Sequence, residues 1–302
     1  MKKILSVIVV FLLFSLQSSF AWSSPGHMVV AAIAYRDLPA ATRTNLNELL
    51  THHPDYAQWK EKYSPDKTGV DLETYIFLRA STWPDEIRRH GNPYDHPQWH
   101  YVDYPLIPLS FPYKPSPAPT NDALYGISQS EKVLKDKTAT PELKAVYLSW
   151  LIHLVGDIHQ PLHCATLTDA DYPKGDKGGN AFYVRPNTAG VNLHSIWDKG
   201  LGSSVNPRTQ YNYAIELGTK QPRKSLPELK QHKTVESWTK ESRKLAIEDG
   251  YLNGKLQGSK EASDAPPLPE GYTKTLKAVA EKQAALAGYR LADEINQYVR
   301  YP

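Results

Sequence analysis

The stretch that most constrains this 302-residue chain is 140–163. Thr140-Pro141-Glu142 reads as a helix start: a capping hydroxyl, a proline at the first helical position and an early acid. Val146, Leu148, Trp150 and Leu151 carry the helix on to about His159. Pro161 pushes the residue before it out of the helical region, so the helix ends or kinks there. His153 and Asp157 lie four apart and point from one face. Leu151, Ile152, Leu154 and Val155 surround that face. Burying an imidazole and a carboxylate without partners is costly, and a divalent metal is a natural partner for both. A fold built round this stretch must bring further ligands to it.

The remaining chain reads as mainly helical. Helices are expected at 27–35 behind Pro25, at 41–51, 71–80 and 122–137 with caps at Asp71 and Asn121, and as a long amphipathic helix over 272–299. Strand signals are sparse: 181–185, a Pro-Asn-Thr-Ala-Gly turn and Val191 predict one small β-hairpin. Residues 103–120 hold six prolines and no periodicity, so they read as a long ordered loop, and 252–270 as a second. The expectation is a single domain of packed helices over 22–302.

Residues 1–21 have the form of a secretory signal peptide. Lys2 and Lys3 precede an apolar run over 4–16, and Ser19-Phe20-Ala21 places small residues before a cleavage point. Cleavage there leaves Trp22 as the new terminus; an uncleaved anchor is the alternative. No other stretch approaches the ~20 apolar residues of a membrane span, so no stable membrane association is expected. Hydrophobic residues at 40% exclude a disordered chain. The net charge is +3, and the leader holds two of the 35 basic residues, leaving 33 against 32 acids. That excludes a nucleic-acid groove spread over the whole surface but permits a local basic patch. Cys164 is the single cysteine, which excludes an intrachain disulfide framework.

Histidines and acids cluster by spacing. His194 and Asp198 repeat the four-residue step in Asn192-Leu-His-Ser-Ile-Trp-Asp, where Asn192 can cap a short helix. His163 is ten residues beyond His153 and off its face, so a turn at Pro161 must swing it round if both serve one site. Trp22-Ser-Ser-Pro-Gly-His27, an Asp85 beside Trp83 at a helix start, and His100 three before Asp103 add to the set. Imidazole with carboxylate is an ordinary zinc donor set. One such pair is weak evidence, since His–x3–Asp is more often a hydrogen-bonded surface pair; two in one helical chain point much further.

In order and spacing these segments resemble the secreted trinuclear zinc nucleases of the S1/P1 family, related to the zinc-dependent bacterial phospholipases C. The specific parts are Trp–x4–His27, His153-Leu-Val-Gly-Asp157-Ile-His-Gln-Pro-Leu-His163, Gly178-Gly-Asn180, and Asn192 through Asp198. The resemblance implies three Zn2+ ions on nine positions. Trp22, through its free amine and carbonyl, and His27 would hold one ion. Asp85, His100 and His153 would hold a second, with Asp157 bridging the two. His163, His194 and Asp198 would hold the third. It also implies Asn180 at the phosphate or ribose, and Tyr101 and Asp103 beside the base, where an aromatic stacks without sequence preference. Asp103 could instead orient His100. Arg88, one turn after Asp85, reads equally as a phosphate contact or an ordinary surface arginine.

The activity implied is phosphodiester hydrolysis of single-stranded DNA and RNA to 5′-phosphate products, with 3′-nucleotidase activity. Asp157, Arg88 and Asp103 are the catalytic candidates. A phospholipase C acting on a lipid headgroup is the alternative. A nuclease wants stacking positions such as Tyr101 and Tyr183, whereas a lipid enzyme wants an apolar rim, for which Leu106, Ile107, Leu109 and Phe111 are available. Zinc storage is a third reading, opposed by the three carboxylates and the open coordination positions. His159 reads as a residue that supports a ligand or packs beside it, Cys164 as a packing residue, and Glu86, His52, His53, His90, His96 and His232 as surface residues. Fungal and plant members of the family carry disulfides and glycans; one cysteine and no Asn-x-Ser/Thr site point to an exported, periplasmic or secreted bacterial enzyme, expected to be monomeric.

Overall fold

The computed structural model describes residues 22–88, 90–108 and 120–299. The leader, and Leu109 and Phe111 of the proline-rich loop, lie outside them. Twelve α-helices occur among the described residues: α1 (Ser24–Asp37), α2 (Ala40–Leu50), α3 (Tyr56–Lys62), α4 (Pro65–Thr68), α5 (Leu72–Glu86), α6 (Ala123–Lys135), α7 (Pro141–Asp157), α8 (Leu193–Asp198), α9 (Pro207–Lys220), α10 (Glu228–Gln231), α11 (Val235–Leu245) and α12 (Tyr272–Tyr298). The chain is mainly α, as its periodicity predicts.

Helix α7 is the centre. Thr140 caps it, its hydroxyl accepting from Leu143 N at 3.2 Å, and Pro141 sits in the first turn. From Leu148 onward every residue to Asp157 is buried, because α1, α5, α6 and α12 pack round it. Each of its buried leucines and isoleucines contributes about 1.5–3 kcal/mol by leaving water. The helix stops at Asp157, and a 3-10 turn over Pro161–Cys164 redirects the chain.

Two expectations fail locally. Residues 71–80 are only the first part of α5, which continues through Pro84 to Glu86. Asp85 therefore stands at a helix end, not a start. Pro84 has no N–H for the turn before it, and the helix closes on Ile87 one turn later. The cap of α6 is Asp122, which accepts from Tyr125 N at 3.1 Å. Asn121 is drawn aside because its Oδ1 accepts from Trp99 Nε1 at 2.7 Å.

The expected hairpin is present, alongside a pairing that was not expected. Strands β1 (Pro105–Leu106) and β2 (Thr166–Leu167) pair in parallel, Pro105 opposite Thr166 and Leu106 opposite Leu167. Strands β3 (Tyr183–Val184) and β4 (Val191–Asn192) pair antiparallel, Tyr183 opposite Asn192 and Val184 opposite Val191. The 252–270 segment folds against this hairpin through bridges from Ser259 to Tyr183 and from Pro267 to Arg185. A large apolar core surrounds α1, α5, α7 and α12, and a smaller one lies under the hairpin around Leu162, Phe182, Leu193, Trp197 and Tyr251. Leu162 and Cys164, either side of His163, belong to different cores, so the turn after α7 lies where the two meet.

Candidate metal centre

Helix ends and turns carry the candidate ligands to this junction. The first turns of α1 bring His27, the end of α5 brings Asp85, and His100 follows Trp99. The last turn of α7 brings His153 and Asp157, the 3-10 turn His163, and α8 His194 and Asp198. All eight residues are buried, none more than 5% exposed. They form three groups whose donor atoms converge within 4.8 Å: His27 with Asp85 and His153; His100 with His153 and Asp157; and His163 with His194 and Asp198.

Asp157 lies between the groups. Its Oδ1 is 3.2 Å from His27 Nε2 and 3.8 Å from His163 Nδ1, and its Oδ2 is 3.2 Å from His153 Nε2 and 3.3 Å from His100 Nδ1. Asp85 Oδ1 stands 3.6 Å from His100 Nδ1 and 3.8 Å from His153 Nε2. In the third group, Asp198 reaches His194 Nε2 at 3.5 Å and His163 Nε2 at 3.9 Å. The His27 and His153 rings stack at 3.9 Å. Gly156 makes that approach possible: a Cβ there would sit 2.9 Å from His27 Nδ1.

The backbone fixes which nitrogen of several rings faces inward. His153 Nδ1 donates to the Ser81 carbonyl at 2.9 Å, His163 Nδ1 to the His100 carbonyl at 2.5 Å, and His194 Nδ1 to the Gly178 carbonyl at 2.7 Å. Each ring then offers Nε2 as a lone pair toward a carboxylate, the arrangement in which backbone carbonyls orient metal-binding imidazoles. Both nitrogens of His27, both oxygens of Asp85 and of Asp157, and Nε2 of His100 and His163 are buried without a hydrogen bond of normal geometry. Buried polar atoms left bare in such number are costly unless a cation meets them. The donor set therefore fits divalent metal, and its imidazoles and carboxylates fit zinc.

The electrostatics agree. Burial pulls His27 down to about 4, with His153 adding to the effect, so its ring is neutral and able to ligate. Burial likewise lowers His100 and His163. Burial would lower His153 too, but Asp157 and Asp85 outweigh it and raise it. Burial drives Asp198 well above the usual carboxylate range, Asp85 and Asp157 reinforcing it against a hydrogen bond from Gln160. Close carboxylates raise one another in this way unless positive charge is placed among them.

Trp22 is fully buried, packed on Gly26, where a Cβ would come within 3.0 Å of its side chain. Ser23 clasps the end of α8, its N and Oγ donating to the Asp198 carbonyl at 3.3 and 2.9 Å. The first described residues thus abut the third group. Arg88 Nη1 is 3.6 Å from Asp85 Oδ1. Tyr101 and Asp103 are partly exposed, and burial, with Asp176 adding to it, pushes Asp103 up to about 6. Asn180 is half-buried, its Nδ2 donating to the Lys177 carbonyl at 2.8 Å. Of the apolar rim, Leu106 and Ile107 are half-buried, and Leu106 packs on the smaller core.

His159 turns away from the centre. It is fully buried, donates from Nδ1 to the Val155 carbonyl at 2.7 Å and accepts at Nε2 from Arg290 at 2.7 Å. Cys164 is buried with no disulfide. Glu86 is exposed and pairs with Arg79. His52 and His90 are exposed, while His96 and His232 are half-buried. His53 is a correction: it is 3% exposed, stacked on Trp59 at 4.4 Å and edge-on to Trp83 at 4.7 Å.

Two residues near the centre escape sequence reasoning. Gln160 is fully buried, its Nε2 donating to Asp198 Oδ1 at 2.8 Å and its Oε1 accepting from Leu162 N at 2.6 Å. Its place in the His153–His163 block could have marked it. Asp176 is fully buried in a segment, Lys-Gly-Asp-Lys-Gly-Gly, that reads as exposed turn.

Three adjoining buried groups of imidazoles and carboxylates, set largely in the helix ends of a mainly α chain, define a class of site able to hold divalent metal. The model of the S1/P1 Nuclease family matches residues 22–300, and the chain belongs to that family. It is similar to Endonuclease 4 of Arabidopsis thaliana, 26% identical over 93% of this chain and 90% of that protein. It is also similar to Nuclease S1 of Aspergillus oryzae, 25% identical over 61% of this chain and 56% of that protein. Nuclease P1 of Penicillium citrinum is 26% identical over 59% of this chain and 57% of its own length. The protein is accordingly a nuclease, a phosphodiester hydrolase, of a family that is generally zinc-dependent.

Proposed function

We propose that the chain from Trp22 onward is an exported endonuclease that binds three zinc ions, cleaves single-stranded DNA and RNA to 5′-phosphate products, and removes phosphate from 3′-nucleotides. The observation that carries this reading is the position of Asp157, one oxygen facing His27 and His163 and the other facing His100 and His153. Such a carboxylate is placed to be shared between two ions. Trp22 with His27 holds one ion, Asp85, His100 and His153 a second, and His163, His194 and Asp198 the third. Zinc, when bound, supplies Lewis-acid charge and brings the pKa of water down to ~7.

The chain's own residues do the rest. Arg88 adds a positive charge at the phosphate. Asn180 donates to a phosphate or ribose oxygen, and its hydrogen bond to Lys177 holds the amide in place. Tyr101 offers a stacking face to a base, and Asp103 accepts from base-edge amines when ionised. The candidate ligands themselves are buried, so their charges act in a surrounding of low dielectric.

The test is a substrate panel for the protein beginning at Trp22: single-stranded DNA, RNA, 3′-AMP and phosphatidylcholine, with zinc counted by mass spectrometry. Cleavage of the first three and three zinc ions per chain are expected. Activity confined to phosphatidylcholine would replace this reading with the phospholipase one.

A further inference from the structure

The 175–180 turn has an unusual backbone. Gly175, Lys177, Gly178 and Gly179 all adopt positive φ, at 83°, 58°, 61° and 85°. Three are glycines, which tolerate this region freely, but Lys177 is not. A non-glycine residue held there is strained and persists only where its surroundings over-determine it. Asp176 supplies that determination. Its Oδ1 accepts from Leu167 N at 2.9 Å and Thr166 Oγ1 at 3.3 Å, its Oδ2 accepts from Tyr251 OH at 2.7 Å, and the backbone N–H of Gly179 also donates to the carboxylate. The main chain adds bonds from Asp176 N to the Leu167 carbonyl and from Ala181 N to the Asp176 carbonyl, both 2.9 Å.

What the turn delivers is a pair of carbonyls. That of Gly178 accepts from His194 Nδ1, and a side chain at Gly178 would collide with the Leu162 carbonyl, its Cβ 2.5 Å away. That of Lys177 accepts from Asn180 Nδ2. One turn thus orients a candidate ligand of the third metal group and the amide assigned to substrate.

We propose that Asp176, anchored by Tyr251, is a positioning residue for both: it holds the turn so that the Gly178 carbonyl sets His194 and the Lys177 carbonyl sets Asn180. The half concerning Asn180 rests on the nuclease reading above; the half concerning His194 requires only that the third group binds zinc. Removing the anchor frees the turn to relax, and the two carbonyls then drift from their partners.

The experiment uses the full chain from Trp22 with Asp176→Asn and, in parallel, Tyr251→Phe, which deletes a single oxygen and serves if the first variant fails to fold. Zinc affinity is read by competition with a chromophoric chelator, and KM and kcat on single-stranded DNA are read at saturating zinc. The expected result is a fall of about 10–100-fold in affinity for the weakest-held zinc ion. At saturating zinc, kcat returns toward wild type while KM stays raised, because Asn180 remains misplaced. A purely structural role lowers the folded fraction and moves neither zinc affinity nor KM; that outcome in a folded variant overturns the proposal. Wild-type protein that binds zinc but leaves DNA intact overturns the nuclease reading, and the zinc measurement still decides the role of Asp176 toward His194.

Discussion

At the scale of single residues, two histidines and one acid separate chemistry from packing. Asp157 and His159 are neighbours, yet the first faces four imidazoles and the second faces Arg290. Asp157→Asn keeps the shape and removes the charge that offsets repulsion between two close cations. It should lose at least one zinc ion and lower kcat by several orders of magnitude. His159→Ala leaves Nη1 of the buried Arg290 without its acceptor, while Glu241 still holds Nη2, so it should cost about 1–3 kcal/mol of stability while zinc content stays unchanged. Zinc counting and denaturant melts on both variants check the contrast. His53 makes a pH prediction. Burial lowers it to about 3 from 6.5. Between those values the unfolded chain takes a proton that the folded chain refuses, so stability falls as pH drops below 6.5. At pH 5 the loss attributable to this residue is about 2 kcal/mol. Urea unfolding at pH 7 and pH 5 should show a loss of stability in wild type that is smaller by about this amount in His53→Phe.

At the scale of elements, what could be read from the sequence was what local chemistry dictates. α1, α5, α7 and α12 announce themselves through prolines, caps and apolar spacing. α9 and α11 carry signals of the same kind, Asn206 before Pro207 and the capping box of Thr234 with Ser237, but their polar composition hid them. The β1–β2 pair has no local signal, since two-residue strands show no periodicity and the partners lie some sixty positions apart. His53 follows His52 and precedes Pro54, so its sequence neighbours suggest water; Trp59 and Trp83, brought in by packing, decide otherwise. His153 with Asp157 and His194 with Asp198 were legible because four-residue spacing works within one helix; the other candidate ligands were assigned through the family resemblance. Gln160 and Asp176 were not, because their partners arrive from other elements. The tightest element contact is testable. Gly156→Ala improves helix propensity by up to about 1 kcal/mol. Its Cβ, however, would stand 2.9 Å from His27 Nδ1 with both groups buried, so one must move. The expected variant is fully helical by circular dichroism and binds zinc more weakly; unaltered zinc affinity would show that His27 yields without consequence.

For the whole molecule, metal and fold should be one energetic system. The eight side-chain candidates span residues 27–198 and come from four helices, a 3-10 turn and a loop, so ions that bind only the folded state stabilise all of them together. Exhaustive chelation should therefore abolish activity and lower Tm, and acid should act in the same direction because protons compete for the imidazoles. An unchanged melting curve after verified zinc removal would show that the buried polar atoms are satisfied in another way.

The clasp between Ser23 and the Asp198 carbonyl joins positions 175 apart. A ribosome adding roughly 5–20 residues per second needs about 10–35 s to make the second after the first. Throughout that interval Ser23 lacks its partner carbonyl, and the third group lacks its carboxylate. α12, which packs on α1, is made later still. The growing chain therefore carries an incomplete third group until α8 has been made.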